Sequence, residues 1–242
     1  MELAGSILVS SAVFLGFSAL LFAPLEALLP ARVMRERAPL SDWLMFVLNP
    51  ALAAWFALAV LTVLAASIRE TLPADVRAFT SGAPIAVQLA LVVLLAQLWT
   101  YWVHRLSHRF NLLWRFHRLH HTIEQMRWIS AHRQHPVDVL LMIAGANLPA
   151  FVLGVDLRPL AGFIVIERLY TVLLHTNLDF SFGWFDRIIA SPRFHHWHHD
   201  AGGTGQHHNF AGMFSLMDWV FGTWYPPTEP PAAFGPGDDV AA

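Results

Sequence analysis

Apolar residues run almost unbroken through three stretches of the first hundred positions. Residues 7–29 and 83–103 each supply the roughly 20 apolar residues that cross the hydrocarbon core of a bilayer. The stretch 43–67 is of similar length, although Asn49 and Pro50 interrupt it. The pattern predicts three membrane-spanning helices. A cleaved signal peptide is disfavoured for the first, because the N-terminus carries Glu2 and no basic residue.

A weaker apolar pair follows at residues 137–155 and 159–176, joined by Asp156, Leu157 and Arg158. Glu167 and Arg168 lie inside the second segment, and charged groups at membrane depth usually face protein or water. Two full spans and a re-entrant hairpin therefore both remain open. The predicted fold is an all-α, polytopic membrane bundle of four or five embedded helices with a cytoplasmic helical cap.

Arginine placement predicts the orientation, since short cytoplasmic loops are enriched in basic residues. The loop at 30–42 and the segment after residue 103 are Arg-rich, whereas the loop between the second and third runs carries only Arg69 and Arg77. The N-terminus is thus expected outside and the later segment in the cytoplasm. All fifteen basic residues are Arg, which favours a GC-rich bacterial genome and an inner-membrane location.

Three regions are predicted along the chain. Residues 1–103 form the N-terminal membrane helices, and residues 104–225 form a histidine-rich domain that includes the embedded hairpin at 137–176. Residues 226–242 are rich in Pro and Ala and are expected to be disordered.

Composition supports a membrane protein and excludes several chemistries. Only 13% of residues are charged, about half the roughly 25% of soluble domains. The absence of Cys excludes disulfides, iron–sulfur clusters and thiolate nucleophiles. A net charge of −2 gives no sign of a nucleic-acid partner.

All fourteen histidines lie from His104 onward, and most share a helical spacing. Residues three and four apart lie on one helix face, so each cluster can deliver two or three imidazoles to one point. Nine residues have this placement or stand between the clusters: His104, His108, His117, His120, His121, His175, His195, His198 and His199. Nine ligands exceed the three or four that zinc takes, which predicts two ions of higher coordination. Imidazole suits Fe, Cu, Ni and Zn, so the ligands do not name the metal.

Plainer interpretations apply to the other histidines. His132, His207 and His208 lack the spacing and are as readily explained by packing. A surface tract that binds metal adventitiously, or a histidine pH sensor, explains the nine less well, because several separated clusters share ligand spacing.

The motifs resemble the fatty acid hydroxylase/sterol desaturase superfamily. The resemblance covers residues 99–224 and rests on the clusters at 102–109 and 113–121, the segments 133–136 and 175–177, the cluster at 192–199, and the segments 208–210 and 218–223. It implies a membrane oxygenase with a non-haem diiron centre, in which the nine histidines hold two Fe ions. His135, His196, Asn209 and Asp179 are candidates for a further ligand or a supporting contact. Some relatives carry another His where this chain has Thr171, which predicts an open or water-filled position at one ion.

The resemblance implies O2-dependent hydroxylation of a fatty acyl, sterol or related lipid. Desaturation or ether cleavage on the same centre remains open, as do a zinc hydrolase and, less favoured, a metal transporter or sensor. The sequence has no flavin, nicotinamide or haem motif, so electrons are expected from a separate reductase that docks near residues 105–118.

Overall fold

The computed structural model describes residues 2–56, 59, 62–155 and 157–236, and the regular elements in these residues are helices. The prediction of an all-α fold is confirmed. The α-helices are α1 (Glu2–Leu28), α2 (Leu40–Phe56), α3 (Thr62–Thr71), α4 (Ala74–Gly82), α5 (Ile85–Arg109), α6 (Asn111–His121), α7 (Pro136–Val139), α8 (Gly145–Leu153), α9 (Leu157–Leu174), α10 (Pro192–His198) and α11 (Leu216–Phe221). A π-helical turn at Leu140–Ala144 joins α7 to α8, and short 3₁₀ turns occupy Trp128–His132, Gly183–Arg187 and Gly205–His207.

Three helical stretches are long and apolar enough to cross a membrane: Gly5–Leu28, Ile85–Arg109 and Pro136–Leu153. The chain is a membrane protein, and its first and third predicted spans coincide with two of these stretches. The second predicted span, 43–67, falls on α2 and α3. Residues 57, 58, 60 and 61 lie outside the described residues, so a single crossing there stays a prediction, as does the number of embedded helices.

The charged pair in α9 packs against other helices. Gln97 of α5 donates a hydrogen bond to the Glu167 carboxylate. The Arg168 guanidinium lies over the Phe14 ring of α1, 4.1 Å from its centroid. Both charges thus face protein, as expected for ionisable groups at membrane depth. The predicted linker residue Asp156 lies outside the described residues.

Aromatic packing joins α1 and α2 to the 3₁₀ turn at Trp128–His132. The Phe46 ring stacks on Phe14 at 5.9 Å and meets Trp128 edge-on at 5.6 Å. Asn49, which interrupts the apolar run, donates its amide N–H to the carbonyls of His132 at 2.9 Å and Gln134 at 3.0 Å. This buried amide anchors the turn to α2.

A buried ion pair makes a second connection between α2 and the segment after α6. Asp42 is fully buried, and its carboxylate accepts two hydrogen bonds from the Arg133 guanidinium and one from the Ser130 hydroxyl, all at 2.8 Å. Such two-pronged pairs are strong because the planar guanidinium matches the carboxylate.

The first loop lies at the same end of the bundle as the histidine-rich segment. The Ala31 N–H donates to the Asn177 carbonyl at 2.9 Å, and the Glu26 carboxylate accepts from the backbone N–H groups of Trp128 and Asn177. Arginine placement predicted this shared end.

The C-terminal segment corrects a prediction. Residues 226–236, expected to be disordered, pack on the region around α10. The Trp197 indole donates to the Glu229 carbonyl at 2.6 Å, and the Gly235 N–H donates to the His199 carbonyl at 3.3 Å. Phe234 is buried, and its side chain supplies the apolar contact that Pro–Ala composition did not reveal. Residues 237–242 of the predicted tail lie outside the described residues.

Candidate metal centre

Four helix ends bring the nine spaced histidines together. The last two turns of α5 carry the first two, α6 carries three, the end of α9 presents His175, and α10 with the next residue carries the last three. α5 ends at Arg109 and α6 begins at Asn111, so the chain turns between two histidine-bearing helices. Ser191 caps α10 by accepting a hydrogen bond from the Phe194 N–H, and Pro192 fixes its first turn.

The nine side chains form two groups, and all nine are buried. Within each group, one nitrogen from every ring lies within 4.8 Å of the others. The five-histidine group contains His104, His108, His117, His121 and His198, and the four-histidine group contains His120, His175, His195 and His199. The groups adjoin, since the His121 and His199 rings are stacked with centroids 4.6 Å apart.

Nitrogen spacing within the groups is that of ligands around one ion. The Nε2 atoms of His117 and His121 are 3.2 Å apart, and that of His175 is 3.2 Å from His120 and 3.1 Å from His195. Two nitrogens about 2.1 Å from an ion and at right angles to each other are about 3 Å apart. The observed separations are close to this value.

Several rings are oriented by hydrogen bonds from their outer nitrogen. Nδ1 of His104 donates to the Phe210 carbonyl at 2.6 Å, that of His198 to the His208 carbonyl at 2.8 Å, and that of His175 to the Thr171 carbonyl at 2.8 Å. A proton on Nδ1 leaves the Nε2 lone pair free to bind an ion.

Burial keeps these imidazoles neutral. Desolvation lowers the pKa of His198 to about 3 and that of His175 to about 4. It also lowers the pKa of His120, His121 and His199 well below 6.5, and neighbouring histidines reinforce the shift. Neutral imidazole is the form that binds metal, so the groups are prepared as ligands at neutral pH.

Unpaired nitrogens test whether the groups fit a metal. In the described part of the chain, both ring nitrogens of His108 and His199 and Nε2 of His104 and His198 are buried without a hydrogen-bond partner. Unsatisfied buried polar atoms are costly, and their concentration inside the two groups is explained by metal ions. The residues therefore fit two ions held by nitrogen ligands.

The four further candidates lie outside both groups. The His135 ring accepts the Val137 N–H at 3.2 Å as a helix cap, and the His196 ring is 3.0 Å from the Thr176 carbonyl. Asp179 pairs with Arg193 at 2.6 Å. Asn209 has a φ of 58° and spends its amide on the backbone of Phe194 and Tyr225. These contacts support the surrounding loops.

The remaining histidines also stay outside the groups. His132 is buried and packs edge-on against Phe46 at 4.8 Å, His207 is exposed, and the His208 ring contacts the Thr204 carbonyl. Their separate placement matches the packing interpretation.

Asp138 is the carboxylate that supports a candidate ligand directly. It is buried, and the His117 Nδ1–H donates to its two oxygens at 3.1 and 3.2 Å. The sequence named Asp138 only as one of several nearby acids. Its position in the first turn of α7 places it against α6.

We expect Asp138→Asn to lower metal affinity about 10- to 100-fold, because the amide no longer stabilises the Nδ1–H tautomer of His117 as a carboxylate does. Metal retention during stepwise dialysis against a chelator measures the effect. Asp75→Asn, at an exposed site, is the control. Equal retention by both variants would remove Asp138 from the site.

Comparison with known proteins agrees with this geometry. A sequence model of the fatty acid hydroxylase family matches residues 89–223, more than half of the chain. The chain is 33% identical over 147 residues to an ornithine lipid hydroxylase of Rhizobium tropici, covering 61% of this chain and 44% of that protein. It is 30% identical over 148 residues to methylsterol monooxygenase 1-2 of Arabidopsis thaliana, covering 57% and 47% respectively.

The human alkylglycerol monooxygenase is 27% identical over 129 residues, which cover 51% of this chain and 27% of that protein. The chain thus matches less than half the length of these relatives. No solved structure matches the chain. The family match and the ordered histidine clusters inside it establish that the chain belongs to the fatty acid hydroxylase family.

Proposed function

We propose that the chain is a membrane-bound, non-haem diiron oxygenase that uses O2 and external electrons to hydroxylate a C–H bond of a lipid. The observation that carries the proposal is the pair of adjoining buried groups of five and four histidines. Relatives named for lipid hydroxylation and sterol or alkylglycerol monooxygenation give the reaction class.

The nine grouped histidines would hold the two Fe ions, which supply O2 activation when bound. In hydroxylation, one oxygen atom enters the C–H bond and the other leaves as water with two electrons and two protons. The four-histidine group is the one that contains His175, whose Nδ1–H bonds the Thr171 carbonyl. The smaller ligand count leaves room for a water or substrate oxygen there.

The protein itself excludes water and fixes the ligands. Every grouped histidine is buried, and residues 226–236 cover α10 from the side opposite the bundle core. Exclusion of water protects a strong oxidant from unproductive reduction. A centre at the ends of membrane helices suits a lipid whose chain enters from the bilayer. The arginine pattern supports a bacterial inner-membrane protein with this end in the cytoplasm and the N-terminus outside.

Product analysis tests the reaction. Membranes containing the protein, an electron donor and O2 labelled with heavy oxygen are expected to yield a lipid that carries one labelled atom, detected by mass spectrometry. No product is expected without O2. Loss of two hydrogens would instead show a desaturase, loss of an alkyl ether would show an ether-cleaving monooxygenase, and full activity without O2 would favour a zinc hydrolase.

Electrons are proposed to arrive from a separate reductase. Arg109, Arg115 and Arg118 are exposed beside the five-histidine group and offer a basic surface for an acidic partner. Raising the ionic strength is expected to slow reduction by the donor protein, because salt screens charge-guided docking. Reduction by a small neutral reductant is the control and should change little. An equal lack of salt effect in both assays would contradict this docking surface.

A further inference from the structure

A patch of large apolar side chains is exposed outside the long membrane helices. Trp184 and Phe185 in the 3₁₀ turn Gly183–Arg187 are 62% and 61% exposed, and Trp219 and Val220 in α11 are 57% and 59% exposed. Ile189 and Leu216 add further exposed area. Contiguous exposed apolar surface of this kind marks a contact with protein or membrane. We refer to these six side chains as the apolar apron.

The two elements of the apron form one packed unit. The Leu216 N–H donates to the Ile188 carbonyl at 3.3 Å, and the Ala190 N–H donates to the Met213 carbonyl at 3.0 Å. Met217 and Asp218 face inward from α11 while Leu216, Trp219 and Val220 face outward at i, i+3 and i+4. The exposed surface is therefore built by folded elements.

The apron continues the lipid-facing surface of α5. Phe221, next to the apron in α11, has its ring 5.1 Å from the rings of Tyr101 and Trp102. Trp102 and Leu106 lie on α5, one of the three stretches that can cross a membrane, and are 40% and 36% exposed. Lipid that surrounds the end of α5 thus meets the apron without a polar gap between them.

The composition of this surface favours the bilayer interface over a protein partner. Tryptophan is enriched at the level of lipid headgroups, where its ring is partly apolar and partly hydrated. Two arginines flank the surface: Arg105 lies over the Trp102 ring at 5.4 Å and Arg187 over the Trp224 ring at 5.3 Å. Arginines at such an edge can reach lipid phosphates while their stems cover apolar groups.

We propose that the apolar apron inserts into the lipid interface beside α5 and holds the metal centre against the membrane surface. A short hydrogen-bonded path links the two. The Asp218 carboxylate accepts from the Phe210 and Ala211 N–H groups at 2.8 and 2.7 Å, and the Phe210 carbonyl accepts from His104. The element that enters the lipid is therefore the element that positions the loop behind His104.

Single-cysteine labelling tests this proposal directly, since the chain contains no Cys. Full-length Trp184→Cys and Trp219→Cys variants are spin-labelled and reconstituted into lipid vesicles. Collision of the label with O2, which partitions into lipid, is compared with collision with a water-soluble nickel chelate. Leu94→Cys on α5 is the lipid-facing standard, and Glu229→Cys on the C-terminal segment is the aqueous standard.

Both apron labels are expected to show an O2-to-nickel accessibility ratio several-fold above that of the Glu229 variant and near that of the Leu94 variant. A ratio equal to the aqueous standard would overturn the proposal. So would protection from both reagents, which would indicate a second copy of the chain on this surface. Iron content at the wild-type level verifies folding, and Leu216→Cys replaces either variant that fails this check.

Discussion

His120→Ala and His198→Ala are expected to abolish lipid oxidation and to reduce bound iron to half the wild-type content or less. The first change removes a nitrogen from the four-histidine group and the second removes one from the five-histidine group. Both side chains are buried, so water can replace the lost ligand only by entering a site built to exclude it. Oxidation by paired ions needs both, which is why loss from either group has the same effect on activity.

Iron content and product yield, measured on the same preparations, check this result. His207→Ala is the matched control, because His207 is exposed and belongs to neither group. Full activity in either the His120 or the His198 variant would contradict the ligand assignment. A loss of activity in all three variants, with iron unchanged, would contradict it as well.

Asp42→Ala is expected to have the largest effect on stability. The Arg133 guanidinium would lose both hydrogen bonds from its only carboxylate contact in the described structure, and the Ser130 hydroxyl would lose its acceptor. Removing one partner of a buried ion pair costs about 3–5 kcal/mol, because the other charge stays in a medium of low polarity. Arg133 is 18% exposed, which places the expected loss toward the lower end.

The change also reaches the metal centre, since the Arg133 carbonyl accepts a hydrogen bond from Nδ1 of His120 at 3.3 Å. We therefore expect a lower midpoint of thermal unfolding in detergent together with faster iron loss. Asp75→Ala removes an exposed carboxylate from the first turn of α4 and is the control. A midpoint for Asp42→Ala equal to that control would show that the buried pair contributes little.

Local spacing was sufficient to identify the grouped histidines, but it could not divide them. His120 and His121 are neighbours in sequence, yet the structure assigns them to different groups. Successive residues on an α-helix project about 100° apart, so α6 can present one ring to each side. Which side belongs to which group depends on where α5, α9 and α10 lie, and no local pattern contains that information.

Long-range contacts explain what the sequence missed. Asp42 and Arg133 are 91 positions apart, and Asn49, which reads as a break in an apolar run, anchors the turn at Trp128–His132 across 83 positions. Neither pairing follows from hydrophobic periodicity. The order in residues 226–236 likewise comes from Phe234 and backbone contacts to α10, which a Pro- and Ala-rich composition does not reveal.

The central claim is that two adjoining groups of imidazoles hold a pair of iron ions. Metal analysis and Mössbauer spectroscopy of wild-type protein, purified without O2, test it most directly. We expect two iron ions per chain with the spectrum of a coupled pair after oxidation. One ion per chain, uncoupled iron, or zinc in place of iron would contradict the account.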